Sequence, residues 1–174
     1  MIIMDSDEYR AWHEVGHATV CLHLGGELDY IEFLENDTQG FAAVRGCYVT
    51  PETEQSVACG GFAAEFLLLQ AGLIERVNLN DPKSVSELSA RVFSNCWQDH
   101  QAFIGRVFTE DNNFSKEEKE AFMNYAIEHV VPILHIYYEK MASVVKELLA
   151  SRSIDGARVR RLLGIKTIIE IYNQ

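Results

Sequence analysis

Residues 11–18 read Ala-Trp-His-Glu-Val-Gly-His-Ala, and the His13-Glu14-Val15-Gly16-His17 run within them constrains the chain more than any other stretch. On a helix, His13 and His17 stand on one face, one turn apart. That spacing suits two ligands of a tetrahedral zinc ion, with Glu14 beside them as a base for a water molecule. The flanks agree with a helix. Asp5, Ser6 and Asp7 offer an N-cap and an acidic first turn, and Gly25-Gly26 offers a stop, which predicts a helix near residues 7–24. Ala11, Val15, Ala18 and Leu22 form an apolar stripe on it. His13 and His17 project from the opposite side, where Val20 and Leu24 continue their row. A helix apolar on both sides is buried between two layers. Two core histidines bonded to backbone are the plainer reading, but Glu14 would then need a buried partner of its own.

The 174 residues suffice for one domain with a real core. The net charge of −11, with 15 scattered basic residues, argues against nucleic acid and anionic membrane surfaces as partners. The one basic cluster, Arg158, Arg160 and Arg161, reads as a solvated helix face. Cys21, Cys47, Cys59 and Cys96 form no C-x-x-C pair. The start, Met1 to Asp7, lacks the basic and apolar regions of a signal peptide. No apolar run approaches a bilayer span, and Val130–Tyr138 is interrupted by Pro132 and His135. These features predict a soluble, cytoplasmic protein with free or buried thiols.

Further along, Tyr30–Leu34 and Phe41–Thr50 read as strands of a hairpin, joined by turn chemistry at Asn36–Gly40. An apolar helix is predicted over Glu52–Leu73. It carries Gly60-Gly61, costly inside a helix unless another backbone, such as the first helix, packs closely there. After a loop at Val77–Pro82, one helix is predicted from Pro82 or Lys83 to about Phe108, followed by a polar break at Thr109–Phe114. Ser115-Lys116-Glu117-Glu118 is a capping box for another helix, with Phe122, Tyr125, Ala126 and His129 inward. Pro132 resets the chain, and Ile133, Tyr137, Met141, Val144 and Leu148 mark a helix to about Ala150. Ser151–Asp155 reads as a connection, Gly156–Leu163 as a last helix closed by Gly164, and Ile165–Tyr172 as an apolar tail. The fold class is mainly α with a small β-hairpin or sheet. It forms a single domain over 1–174, with the metal-binding part in 1–110 and a helical part in 115–174.

With these residues placed, the chain resembles the peptidase domain of the FtsH-type AAA-linked zinc metalloproteases. His13-Glu14-Val15-Gly16-His17-Ala18 is similar to that family's H-E-A-G-H-A, and Gly60-Gly61-Phe62-Ala63-Ala64-Glu65 to its G-G-R-A-A-E. The segments Glu139–Leu149, Ser153-Ile154-Asp155-Gly156 and Arg161-Leu162-Leu163 are similar to its final helix, T-L-D-G turn and leucine-rich end. The resemblance implies a mostly helical metallopeptidase domain, with His13 and His17 on Zn²⁺ and Glu14 as the catalytic base. It implies a third ligand in an aspartate at the start of the helix after the glycine pair. Asp81 fits that place best, although Arg76–Asn80 departs from the family's small-residue lead-in. Asp81 before Pro82 is also an ideal N-cap. Glu65 is the fallback ligand, or else an acceptor for an imidazole N–H.

The expected activity is therefore zinc-dependent hydrolysis of peptide bonds in peptides or unfolded chains, with no ATPase in this sequence. The partners implied are a peptide substrate, a separate ATPase that delivers folded proteins, and further copies of the chain as a homo-oligomer. Residues Gly40–Val49 are the candidate edge for pairing with an extended peptide. The competing readings are a non-enzymatic, zinc-containing binding module derived from such a peptidase, and a metal-free helical domain.

Overall fold

The computed structural model describes residues 1–34, 42–75, 80–107 and 114–166. The expected turn at Asn36–Gly40, most of the loop after Glu75, the centre of the polar break at 109–113 and the tail beyond 166 lie outside them. The described residues form a mainly helical fold with a small antiparallel sheet, as the sequence predicts.

Helix α1 (Asp7–His23) is the centre of the molecule. Ser6 caps it, its hydroxyl accepting from Tyr9 N at 3.2 Å, and the chain leaves it through Gly25 at φ 83°. Ala11, Val15, Ala18 and Leu22 are all buried, and α1 packs on both α3 (Gly60–Gln70) and α7 (Val131–Ser151). The approach to α3 is backbone to backbone. A Cβ on Gly16 would collide with the Gly60 carbonyl, one on Gly60 would meet the His17 Cα at 2.7 Å, and one on Gly61 would enter the His13 ring. The paired glycines therefore have the role their cost suggests.

Strands β1 (Tyr30–Phe33), β2 (Ala42–Arg45) and β3 (Ser153–Asp155) form an antiparallel sheet in the order β2-β1-β3, with Ile31 opposite both Val44 and Ile154. The segment Ser151–Asp155 is thus not a bare connection. It returns the chain from α7 to the sheet and caps α8 (Gly156–Leu163) with Asp155. Strand β2, predicted within Phe41–Thr50, is shorter and lies at the sheet edge.

Two predicted helices are each broken in two. The first divides at Cys59 into α2 (Pro51–Ala58) and α3, so that Gly60 can turn onto α1. The second divides at Cys96 into α4 (Pro82–Asn95) and α5 (Trp97–Ile104). Pro132, by contrast, does not restart the chain. It has no N–H for the carbonyl four residues back, and the backbone between α6 (Lys116–Tyr125) and α7 continues as a π turn over Ala126–Val130.

Side-chain ties differ from the sequence reading in two places. Arg158 is not merely solvated, since Nε and Nη2 each donate to Glu147 at 2.8 Å, and Arg160 donates to the Gly26 carbonyl at 2.9 Å. Not all thiols are free either. Cys59 and Cys96 are free and buried, but Cys21 and Cys47 form a disulfide with a Cα separation of 6.2 Å. The bridge between Glu27 and Tyr48 brings the two cysteines together by folding the hairpin back toward α1. No helix among the described residues is long and apolar enough to cross a membrane.

The disulfide closes a segment of 26 residues. Cys47→Ser should therefore lower the unfolding free energy by about 3 kcal/mol in denaturant titrations, and reduction of the wild type should lower it by a similar amount.

Candidate metal centre

Each histidine of α1 has one ring nitrogen fixed by a neighbour. His17 Nδ1 lies 2.7 Å from the carbonyl oxygen of Val57 in α2, and His13 Nδ1 lies 2.8 Å from Glu65 Oε1 in α3. A carbonyl can only accept, so His17 carries its proton on Nδ1. The Glu65 carboxylate assigns His13 the same tautomer. Both Nε2 lone pairs are then turned away from these supports. They face each other at 3.1 Å, and Asp99 of α5 lies across them, with Oδ2 at 3.2 Å from His13 Nε2 and Oδ1 at 3.3 Å from His17 Nε2. With both rings neutral, two lone pairs and a carboxylate converge with no donor among them, an arrangement that calls for a positive charge, either a proton or a metal ion.

The electrostatics agree. Burial pulls both imidazole pKa values down, but Asp99 at both rings and Glu65 at His13 outweigh it and push both up, that of His13 strongly. Burial raises the Asp99 pKa, and the two histidines more than reverse this, holding it below the ordinary carboxylate range. Asp99 is held in place by its neighbour. His100 is fully buried between the rings of Phe93, Phe114 and Phe122, and burial lowers its pKa to about 4, so it is a neutral anchor for α5. Cys96 also approaches, with potential ligand atoms of His13, Cys96 and Asp99 all within 4.8 Å of one another. Burial, reinforced by Glu65 and Asp99, pushes its thiol pKa well up, which keeps it protonated unless a metal ion displaces the proton.

Glu14 is on the open side. Its Oε2 accepts from Val44 N of the edge strand β2 at 3.1 Å, and burial pushes its pKa up against the opposing pull of His13 and His17. A carboxyl raised in this way is suited to taking a proton at neutral pH. Glu14 and His13 line a cleft of about 520 Å³ that reaches solvent between the start of α1 and the end of α4.

Against known proteins, residues 10–77 match the family model described as Peptidase M50B-like. The likeness is to a metallopeptidase family. It differs from the FtsH-type family whose motifs the chain resembles, and it covers α1 through α3, including His13, Glu14, His17 and Glu65. No curated protein matches the chain.

Within this metallopeptidase-like core, His13, His17 and Glu14 lie together, and Glu65 supports an imidazole N–H instead of facing the open side. Asp81 does not join them. It is an exposed N-cap, its Oδ1 accepting from Lys83 N at 3.2 Å and its Oδ2 from Ser84 N at 3.1 Å. The carboxylate facing both rings is Asp99, which the sequence reading missed because it ran one helix through the Cys96 break. Asp99 lies in the first turn of α5. The two aspartates separate by experiment. Asp99→Ala should weaken zinc binding at least about 100-fold in chelator-competition titrations. Asp81→Ala should leave it unchanged and cost about 1 kcal/mol of stability through the lost cap.

Proposed function

We propose that the protein is a zinc-dependent peptidase for peptides or already unfolded chains, with His13, His17 and Asp99 as ligands and Glu14 as general base. The observation that carries this reading is the convergence of His13 Nε2, His17 Nε2 and the Asp99 carboxylate. The two nitrogens are 3.1 Å apart, and a separate Asp99 oxygen faces each of them, at 3.2 and 3.3 Å; each separation is close to the roughly 3.3 Å between donors of a tetrahedral zinc ion bonded at about 2.0–2.1 Å. The hydrogen bonds from both Nδ1 atoms favour the same reading, since they hold the rings as outer partners of metal-bound histidines do.

When bound, the ion supplies a Lewis acid that acidifies water and polarises a carbonyl. Glu14 takes a proton from the attacking water as the new C–O bond forms, and gives it to the departing nitrogen as the C–N bond breaks. The Val44 N–H holds the carboxyl in place for both transfers. The edge of β2 lies against Glu14, which takes its Val44 N–H, so an extended peptide pairing by main-chain bonds along the rest of that edge is carried to the base. The resemblance to the FtsH-type domain supports a further part of the proposal. Folded substrates would need a separate ATPase, and the chain would assemble with copies of itself.

A zinc-containing binding module is the alternative, and the approach of Cys96 is the observation that favours it, because a fourth protein ligand would close the site. Turnover separates the two. Zinc-loaded protein should cleave unfolded casein, and Glu14→Gln should lower the rate by about 10²-fold or more while keeping the metal. Zinc-loaded wild type that leaves casein and a quenched peptide library intact would refute the peptidase.

A further inference from the structure

In a chain of net charge −11, the cleft beside His13 and Glu14 carries two arginines, Arg10 from α1 and Arg91 from α4. Neither guanidinium has a hydrogen-bond partner among the described residues, and each has only a distant carboxylate. Arg10 Nη1 is 3.7 Å from Asp7 Oδ1, and Arg91 Nη1 is 3.8 Å from Asp5 Oδ2. Those aspartates have closer partners. Arg152 donates to Asp7 Oδ2 at 2.6 Å, and Asn95 donates to Asp5 Oδ1 at 3.2 Å. Two planar donor forks are therefore left at the rim of the cleft, one 31% exposed and the other 61%. A guanidinium in this state is matched by the paired oxygens of a carboxylate, which it can take bidentately where Asp5 and Asp7 do not.

We propose that this cleft selects substrates bearing a carboxylate near the scissile bond, and that Arg10 and Arg91 are the residues that read it. The proposal rests on the peptidase reading for its meaning, since it names the class of chain that site receives. The carboxylate can belong to an aspartate or glutamate side chain or to the end of a peptide. Both present the same two oxygens, and the site would distinguish them by where along the cleft they fall. Neither arginine touches Glu14 or the metal-facing atoms in any hydrogen bond or ion pair, so their role is one of selection and not of bond breaking.

The test is a binding measurement that requires no hydrolysis. Three fluorescent ten-residue peptides are titrated against zinc-incubated Glu14→Gln protein by anisotropy at low salt. One has a central Glu and an amidated end, one has a central Gln and an amidated end, and one has a central Gln and a free C-terminal carboxylate. The central-Glu peptide, the free-ended peptide or both should bind about tenfold or more tightly than the neutral one. The preference should shrink as salt is raised. The peptide that gains identifies the source of the carboxylate. Arg10→Gln with Arg91→Gln should remove the preference while leaving affinity for the neutral peptide unchanged, which also verifies that the variant is folded. Equal binding of all three peptides, no binding of either carboxylate peptide, or a preference that survives the double substitution overturns the proposal. Hydrolysis is a separate readout, so absence of turnover with the preference intact would count against the peptidase and not against this selection.

Discussion

The close approach of α1 to α3 is the constraint on which the rest of the structure depends. Three glycines make it possible, because a side chain at Gly16, Gly60 or Gly61 would strike the opposing backbone or the ring of His13. With the two helices this near, Glu65 reaches His13 Nδ1, and the Val57 carbonyl just before the turn reaches His17 Nδ1. Each imidazole is thereby supplied with an acceptor on one side and left with a lone pair on the other. Packing, in other words, sets the protonation pattern of the rings.

That pattern gives the interior an electrostatic problem that only a positive charge relieves. Two nitrogen lone pairs and the Asp99 carboxylate point at one another in a largely buried space, where unpaired acceptors are costly. The raised histidine pKa values express the same demand in protonic form. The fold keeps this cost because α5 is pinned from behind by His100 in its aromatic surround, and α1 by the core on both faces. Polar convergence held by apolar packing is how a rigid site is built before any ion or substrate arrives.

Much of this was legible in the sequence. The spacing of His13 and His17, the stripe along α1, the capping box at Ser115 and the paired glycines all encode local geometry or close packing, and the structure has each of them. What was not legible depends on where helices bend. Gly60-Gly61 weakens the helix beside Cys59 without marking a stop there, and nothing in the residues around Cys96 stops a helix by its own chemistry. The break at Cys59 lets α3 pack on α1, and the one at Cys96 lets α5 pack on α2 and α6, so tertiary contacts override local propensity there. Asp99 was hidden for that reason, while Asp81 attracted attention through a proline-marked helix start that serves only as a cap. The Cys21–Cys47 bond was equally unreadable, since four cysteines allow several pairings and only the returning hairpin chooses one.

The most direct measurement is anomalous diffraction at the zinc edge from crystals grown with the metal. One strong peak is predicted within bonding distance of His13 Nε2, His17 Nε2 and the Asp99 carboxylate, with no fourth protein atom bound and Glu14 nearby but not coordinating. A peak completed by Cys96, a peak held by Asp81, or no peak between the two rings would contradict the account.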